Sequence, residues 1–517
     1  MNKKITLLFL ATIFMAGAFA QYKTLKIDTS FNEFSSYNKY QKDFYCLTKF
    51  IENSHPDVYN SISEYNYKKK VDSLHNALSD NSQITNRVVL SEYSAILNDG
   101  HTSVYPKYQS SNTGTFPIRF YINKNNVRIA NVLENYPNQN IIDKKVISIN
   151  NIPIETLYNR FEKYIGGNII YKRKIFGRNL FYHSVLSKLG ITEKTLIVES
   201  EKNNLTSIDT FLLESSNYKT KVKFSKNFSK DFDNDLFSYN IIGDSICYFK
   251  MNECRDLQEL KANRSNYPFV FRPLFRLAYK IRGGNFRKFL NKMFNEMYEK
   301  NIKNLVVDLS NNSGGTSILS DQFLYHILDN NNISGYSERI KLSPIIKIEH
   351  PDYYNDIVRE YAVDTAKIPI LLPAKNSNKN YFNYLSDKKS PYYMKEPSRK
   401  YDGKIYLIIG QKTASSATML AVMLKDNHLT NLIVGEPMGM RPTHFGEVMS
   451  WTLPLTGTRV NTSTKYFVRP DSLNKETVFN PDVTISKDID DRIEGRNPAL
   501  EYILNVIKGG GSLSIKE

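Results

Sequence analysis

A chain of 517 residues, 41% of them hydrophobic, is longer than one hydrophobic core usually serves and reads as two or three domains. Its formal charge of +17 comes from basic residues scattered among Asn, Tyr and Ile rather than gathered into one basic stripe with interleaved aromatics, which argues against a nucleic-acid partner. Cys46, Cys247 and Cys254 form an odd set without metal-ligand spacing; they read as buried thiols, with a Cys247–Cys254 bridge as the alternative.

Residues 1–20 carry Lys3 and Lys4, an apolar run from Ile5 to Ala16, and the small-x-small end Ala18-Phe19-Ala20. That is the pattern of a cleaved signal peptide, which predicts an exported protein, periplasmic or secreted, beginning at Gln21. Later apolar runs are strand-sized, so no stable membrane insertion is expected.

Residues 21–112 read as a helical N-terminal domain, with Leu74, Leu78, Val88, Val89, Tyr93, Ile96 and Leu97 at helical spacing. Gly100 in Asn98-Asp99-Gly100-His101-Thr102 is expected to stop the last helix and present His101 on the following loop. Over 113–220 the pattern changes to short strands at Pro117 to Ile122, Val127 to Val132 and Lys145 to Ile149, with helices at Glu155 to Tyr164 and Asn179 to Leu189. The strand and tight turn through Asn150-Asn151 resemble the end of a PDZ-like module.

From 221 to 517 strands and helices alternate: strands at Ser245 to Met251, Asn304 to Leu309, Lys404 to Ile409 and Leu432 to Gly435, helices near 285–301, 318–328 and 416–425. This predicts an α/β domain with a largely parallel sheet, interrupted by an insertion at about 334–399 rich in Pro, Tyr, Lys and Asn.

Two turns in this domain carry chemistry. In Ile409-Gly410-Gln411-Lys412-Thr413-Ala414-Ser415-Ser416-Ala417 a buried strand passes through small residues into an apolar helix. A hydroxyl there sits at the sheet's carboxyl edge and at a helix N-terminus, where unpaired N–H groups stabilise an oxyanion; the same residues also suit plain N-capping. In Asp308-Leu309-Ser310-Asn311-Asn312-Ser313-Gly314-Gly315 the two glycines let backbone approach a substrate carbonyl, so an amide there can join the Ser416 N–H as an oxyanion hole.

The order D-G-H-T-S, PDZ-like segment, D-L-S-N-N-S-G-G, G-Q-K-T-A-S-S-A-T, I-V-G-E-P and N-P-D-V-T-I resembles the serine peptidase family of the C-terminal processing (tail-specific) peptidases. It is most similar to the His-base subgroup related to the tricorn core protease and the interphotoreceptor retinoid-binding repeats. The resemblance implies a crotonase/ClpP-like α/β core with the helical domain and a degenerate PDZ-like module. It implies Ser415 as nucleophile, His101 as general base, Glu476 as the third catalytic member, and Ser416 with Gly314 or Gly315 as oxyanion donors. His444 is the other histidine near a motif, and Arg441, permanently charged, cannot replace a lysine base.

The implied reaction is peptide-bond hydrolysis through a Ser415 acyl-enzyme by an endopeptidase acting on a peptide or unfolded protein substrate. No cofactor and no metal are called for, since no His, Cys and carboxylate cluster has zinc spacing. The alternative is a non-catalytic binding protein on the same fold, with a peptide or apolar ligand.

Overall fold

The computed structural model describes residues 23–24, 35–79, 83–105, 114–214, 224–226, 228, 235–262, 272–329, 333–349, 351–373 and 381–509. The leader expected at 1–20 lies outside them. No helix among the described residues is long and apolar enough to cross a membrane.

The central sheet runs in the order Val483–Thr484, Thr430–Gly435, Lys404–Ile409, Asn304–Asp308, Ile246–Met251, Phe237–Ile242, parallel throughout except for the last hairpin. Its strands are apolar on both faces because both are covered. Leu305, Val307, Leu407 and Ile409 enter the largest core with the helices Phe286–Glu299 and Ser416–Asp426, while Val306, Tyr406 and Ile408 meet the C-terminal helix Pro498–Ile507 on the other side. The period-two alternation of side chains decides which residue goes where.

A second, antiparallel sheet joins Ile118–Asn123, Asn126–Val132, Lys145–Ile149, Thr195–Lys202 and Leu205–Leu212. The helix Ile169–Asn179 beside it was not anticipated; its basic face, Lys172 to Lys174 and Arg178, hides the apolar spacing, and the Asn168 side chain caps it by accepting the Tyr171 N–H at 2.9 Å. The helix expected from Asn179 is shorter, at His183–Lys188.

Residues 334–399, expected as an insertion in the α/β core, contribute two strands to a third sheet. Ser337–Leu342 pairs with Arg459–Val468 and Ile370–Leu371, and Arg459–Val468 also pairs with His444–Thr452 and with Ser103–Tyr105. Phe44, Leu47, Tyr67, Tyr93 and Leu97 of the N-terminal helices share one core with Ile340, Leu342, Tyr354, Trp451 and Val460. Burial of that shared face fixes the loop at 98–102 against the strand that begins at His444. The three cysteines are buried thiols, none of them in a disulfide.

Candidate active site

The turn between Lys404–Ile409 and Ser416–Asp426 is stapled by Thr413, whose hydroxyl donates to the Leu309 carbonyl at 2.8 Å and accepts the Gly410 N–H at 3.0 Å. Ala414 N–H donates to the Asn312 carbonyl at 3.1 Å, tying the turn to the neighbouring loop. The chain then bends sharply at Ser415, with φ 54° and ψ −128°, a conformation that costs about 1–3 kcal/mol in a non-glycine residue and persists only where its surroundings impose it.

Ser415 occupies the N-cap position of the helix, yet its hydroxyl makes no cap hydrogen bond. Ser416 behaves differently: its hydroxyl donates to the Gly315 carbonyl at 2.9 Å. Of the two adjacent serines, Ser415 therefore keeps its oxygen available for chemistry.

Gly314, at φ +96°, packs against this turn so closely that an added Cβ would lie 2.6 Å from the Ser415 Cβ and 3.1 Å from the Ser416 nitrogen. Its own N–H donates to the Asn312 side chain at 2.8 Å, so Gly314 supplies close approach here rather than an oxyanion donor. The N–H groups of Gly315 and Ser416 find no acceptor among the described residues.

Asp99 organises the histidine loop. Its carboxylate is buried, accepts the His101 N–H at 2.9 Å, and accepts the hydroxyls of Thr102 and Ser463 at 2.6 Å each. His55, also buried, accepts the Asp57 N–H on Nδ1, so its proton sits on Nε2, which faces Asp99 at 3.5 Å. Burial alone would raise the Asp99 pKa, but the adjacent His55, with the His101 ring and the Ser463 hydroxyl, outweighs it and holds the carboxyl well below its ordinary range.

His101 Nδ1 lies 2.8 Å from the Phe445 carbonyl oxygen. A carbonyl can only accept, so Nδ1 carries the proton and Nε2 keeps its lone pair, the tautomer a general base requires. The ring is 16% exposed on its side chain, enough to meet a substrate. The expected helix stop moves: the helix ends at Ile96, and Asn98, at φ 49°, is the left-handed residue rather than Gly100.

His101 and Ser415 are not hydrogen-bonded to each other in this state. Met440 touches both sides: its sulfur accepts the Ser415 N–H at 3.0 Å, its Cε lies 3.8 Å from where a Cβ on Gly100 would sit, and it lines one cavity with His101, Arg441 and Phe445. His444 is buried, and burial next to His101 pushes it down to about 4; its Nδ1 faces the Pro442 carbonyl.

Glu476 stands apart from His101. Its carboxylate meets Arg469 Nη1 at 3.5 Å, and Arg469 is itself held by the buried Asp426 at 2.5 Å. The carboxylate beside His101 is Asp99, two residues before it, in the Asx pattern that such a spacing favours. Nothing in the sequence marks Phe445 or Met440, since one contributes a backbone carbonyl and the other a thioether.

A strained serine between a parallel strand and a helix N-terminus, linked through Met440 to the loop that carries Asp99 and His101, is the candidate site. Residues 275–485, most of this core, match the model of peptidase family S41. The structure is similar to mature CPAF, with a TM-score of 0.59 and 14% identity over 92% of this chain and 98% of that one. It is likewise similar to mature CPAF complexed with lactacystin, with a TM-score of 0.57 and 14% identity over 91% and 97% of the two chains. At that identity the likeness is one of fold. No curated protein matches the sequence.

Proposed function

We propose that the protein is an exported serine endopeptidase in which Ser415 is acylated by a peptide carbonyl with His101 as general base. The observation that carries the reading is the contrast between the two serines: Ser416 spends its hydroxyl on Gly315, while Ser415, at a strained turn, leaves its own uncommitted. Nε2 of His101 takes the Ser415 proton and returns it to the leaving amine. The N–H groups of Ser416 and Gly315 hold the oxyanion, helped by the partial positive charge of the helix N-terminus. Water then hydrolyses the acyl-enzyme.

Asp99 acts through His101 by fixing its loop, and the Phe445 carbonyl sets its tautomer. The active pair forms when Met440 leaves the Ser415 N–H, consistent with hydrogen bonds that tighten only when substrate is bound. The six-stranded antiparallel module is read as a degenerate PDZ-like domain that braces an extended substrate by strand addition. The core is read as crotonase/ClpP-like, and Lys3, Lys4 and the apolar run after them support export.

Incubation of the purified protein with an unstructured protein such as casein, followed by mass spectrometry of the products, tests the reading. Peptides released by the wild type and absent with Ser415→Ala support it. Equal release by both proteins, or none at any pH between 5 and 9, overturns it. No release combined with saturable binding of the substrate favours the binding-protein alternative.

A further inference from the structure

A second cavity, of roughly 330 Å³, opens where the antiparallel module meets the carboxyl ends of the parallel strands. Its charged lining is Lys174, Arg178, Lys412, Lys487 and Arg492 against the single carboxylate of Glu436. That volume lies at the lower end of the range of small-molecule sites. A concave surface lined by one sign of charge concentrates ligands of the other.

The cations come from three separate parts of the chain, so their convergence is a property of the fold. Lys174 and Arg178 stand one helical turn apart on Ile169–Asn179, Lys412 precedes the Ser415 turn, and Lys487 and Arg492 lead into the C-terminal helix. Arg178 has no acidic partner among the described residues. Lys174 donates only to a backbone carbonyl, that of Gln411, at 3.0 Å. Burial, together with Arg178 and Lys412, pushes Lys174 down to about 8 against the opposing effect of Glu436. The cavity also receives the start of Pro498–Ile507, where the N–H of Ala499 has no acceptor among the described residues.

We propose that this cavity is a binding site for a small phosphorylated molecule. Guanidinium and ammonium groups at the mouth of a helix N-terminus are the donor set that phosphate oxygens accept from, and a dianion offsets the mutual repulsion of Lys174, Arg178 and Lys412. The site is separate from the Ser415 chemistry, and it stands whether or not the protein cleaves peptides.

Calorimetry and thermal unfolding of the full mature chain with pyrophosphate, inorganic phosphate and citrate, each against sodium chloride of matched ionic strength, test it. Pyrophosphate is expected to bind saturably and to raise Tm by a few degrees, about the shift given by a ligand well above its Kd. Arg178→Gln, at an exposed position that leaves the fold undisturbed, is expected to weaken binding about tenfold, as is Lys174→Gln. A shift matched by chloride, an affinity unchanged in both variants, or no binding at all overturns the site. Tighter binding of citrate than of pyrophosphate overturns its assignment to phosphate.

Discussion

The sulfur of Met440 accepts the backbone N–H of Ser415 at 3.0 Å while its methyl group rests beside Gly100, next to His101. A thioether is a weak acceptor, so little is lost when substrate displaces it. Met440→Ala is expected to speed covalent modification of Ser415 by about tenfold, a barrier reduction of about 1.4 kcal/mol. Stopped-time labelling with an active-serine probe measures the rate; a slower variant means that Met440 supports the turn instead of holding the pair apart.

Asp99 joins the histidine loop to the third sheet through Ser463, so its loss reaches both stability and chemistry. Asp99→Asn keeps one acceptor for the His101 N–H and turns an amide toward Thr102 and Ser463. Stability is expected to fall by about 1–3 kcal/mol, measured by urea unfolding at pH 7. The folded-state pKa of Asp99 is depressed, so its contribution is fully present above pH about 4 and is lost as the solution is acidified. The difference between wild type and variant should therefore shrink toward pH 2; a constant difference contradicts this origin.

Glu476→Gln separates the carboxylate implied by motif from the one the structure places beside His101. With its carboxylate on Arg469 and 45% exposed, its neutralisation is expected to change the labelling rate by less than about twofold. A loss of a hundredfold or more restores Glu476 to the catalytic group.

Asp321 predicts the opposite pH dependence. It is buried in the largest core, where the Tyr381 hydroxyl donates to it at 2.9 Å and Tyr384 donates as well, yet burial raises it to about 6. A raised carboxyl pKa favours the folded state while protonated, so stability is lost as pH rises from about 4 to 6. Asp321→Asn removes that loss and is expected to be more stable than wild type at pH 8, on the order of 2 kcal/mol. Urea titrations at pH 4 and pH 8 measure it; equal stability at both pH values in the wild type contradicts the assignment.

The parallel core was legible in the sequence because Leu305-Val306-Val307 and Ile405 to Ile409 are continuous apolar runs followed by small-residue turns, a pattern that only a strand covered on both faces sustains. The strand-to-helix position of Ser415 followed from the same pattern. Ser337–Leu342 was not legible, since Glu338, Arg339 and Lys341 interrupt its apolar positions and its partner lies more than a hundred residues away. The separation of Ser415 from Ser416 needed the Gly315 carbonyl, and the His101 tautomer needed the Phe445 carbonyl. Backbone groups carry no sequence signal, so these parts of the site emerge only from the fold.

The central claim is that Ser415 is a nucleophile activated by His101, and labelling by a fluorophosphonate read by intact mass tests it most directly. The account predicts one adduct on the wild type, none on Ser415→Ala, and a rate at least a hundredfold lower on His101→Ala at pH 7.5. A folded wild type that takes no label, or a His101→Ala variant that labels as fast as wild type, contradicts it.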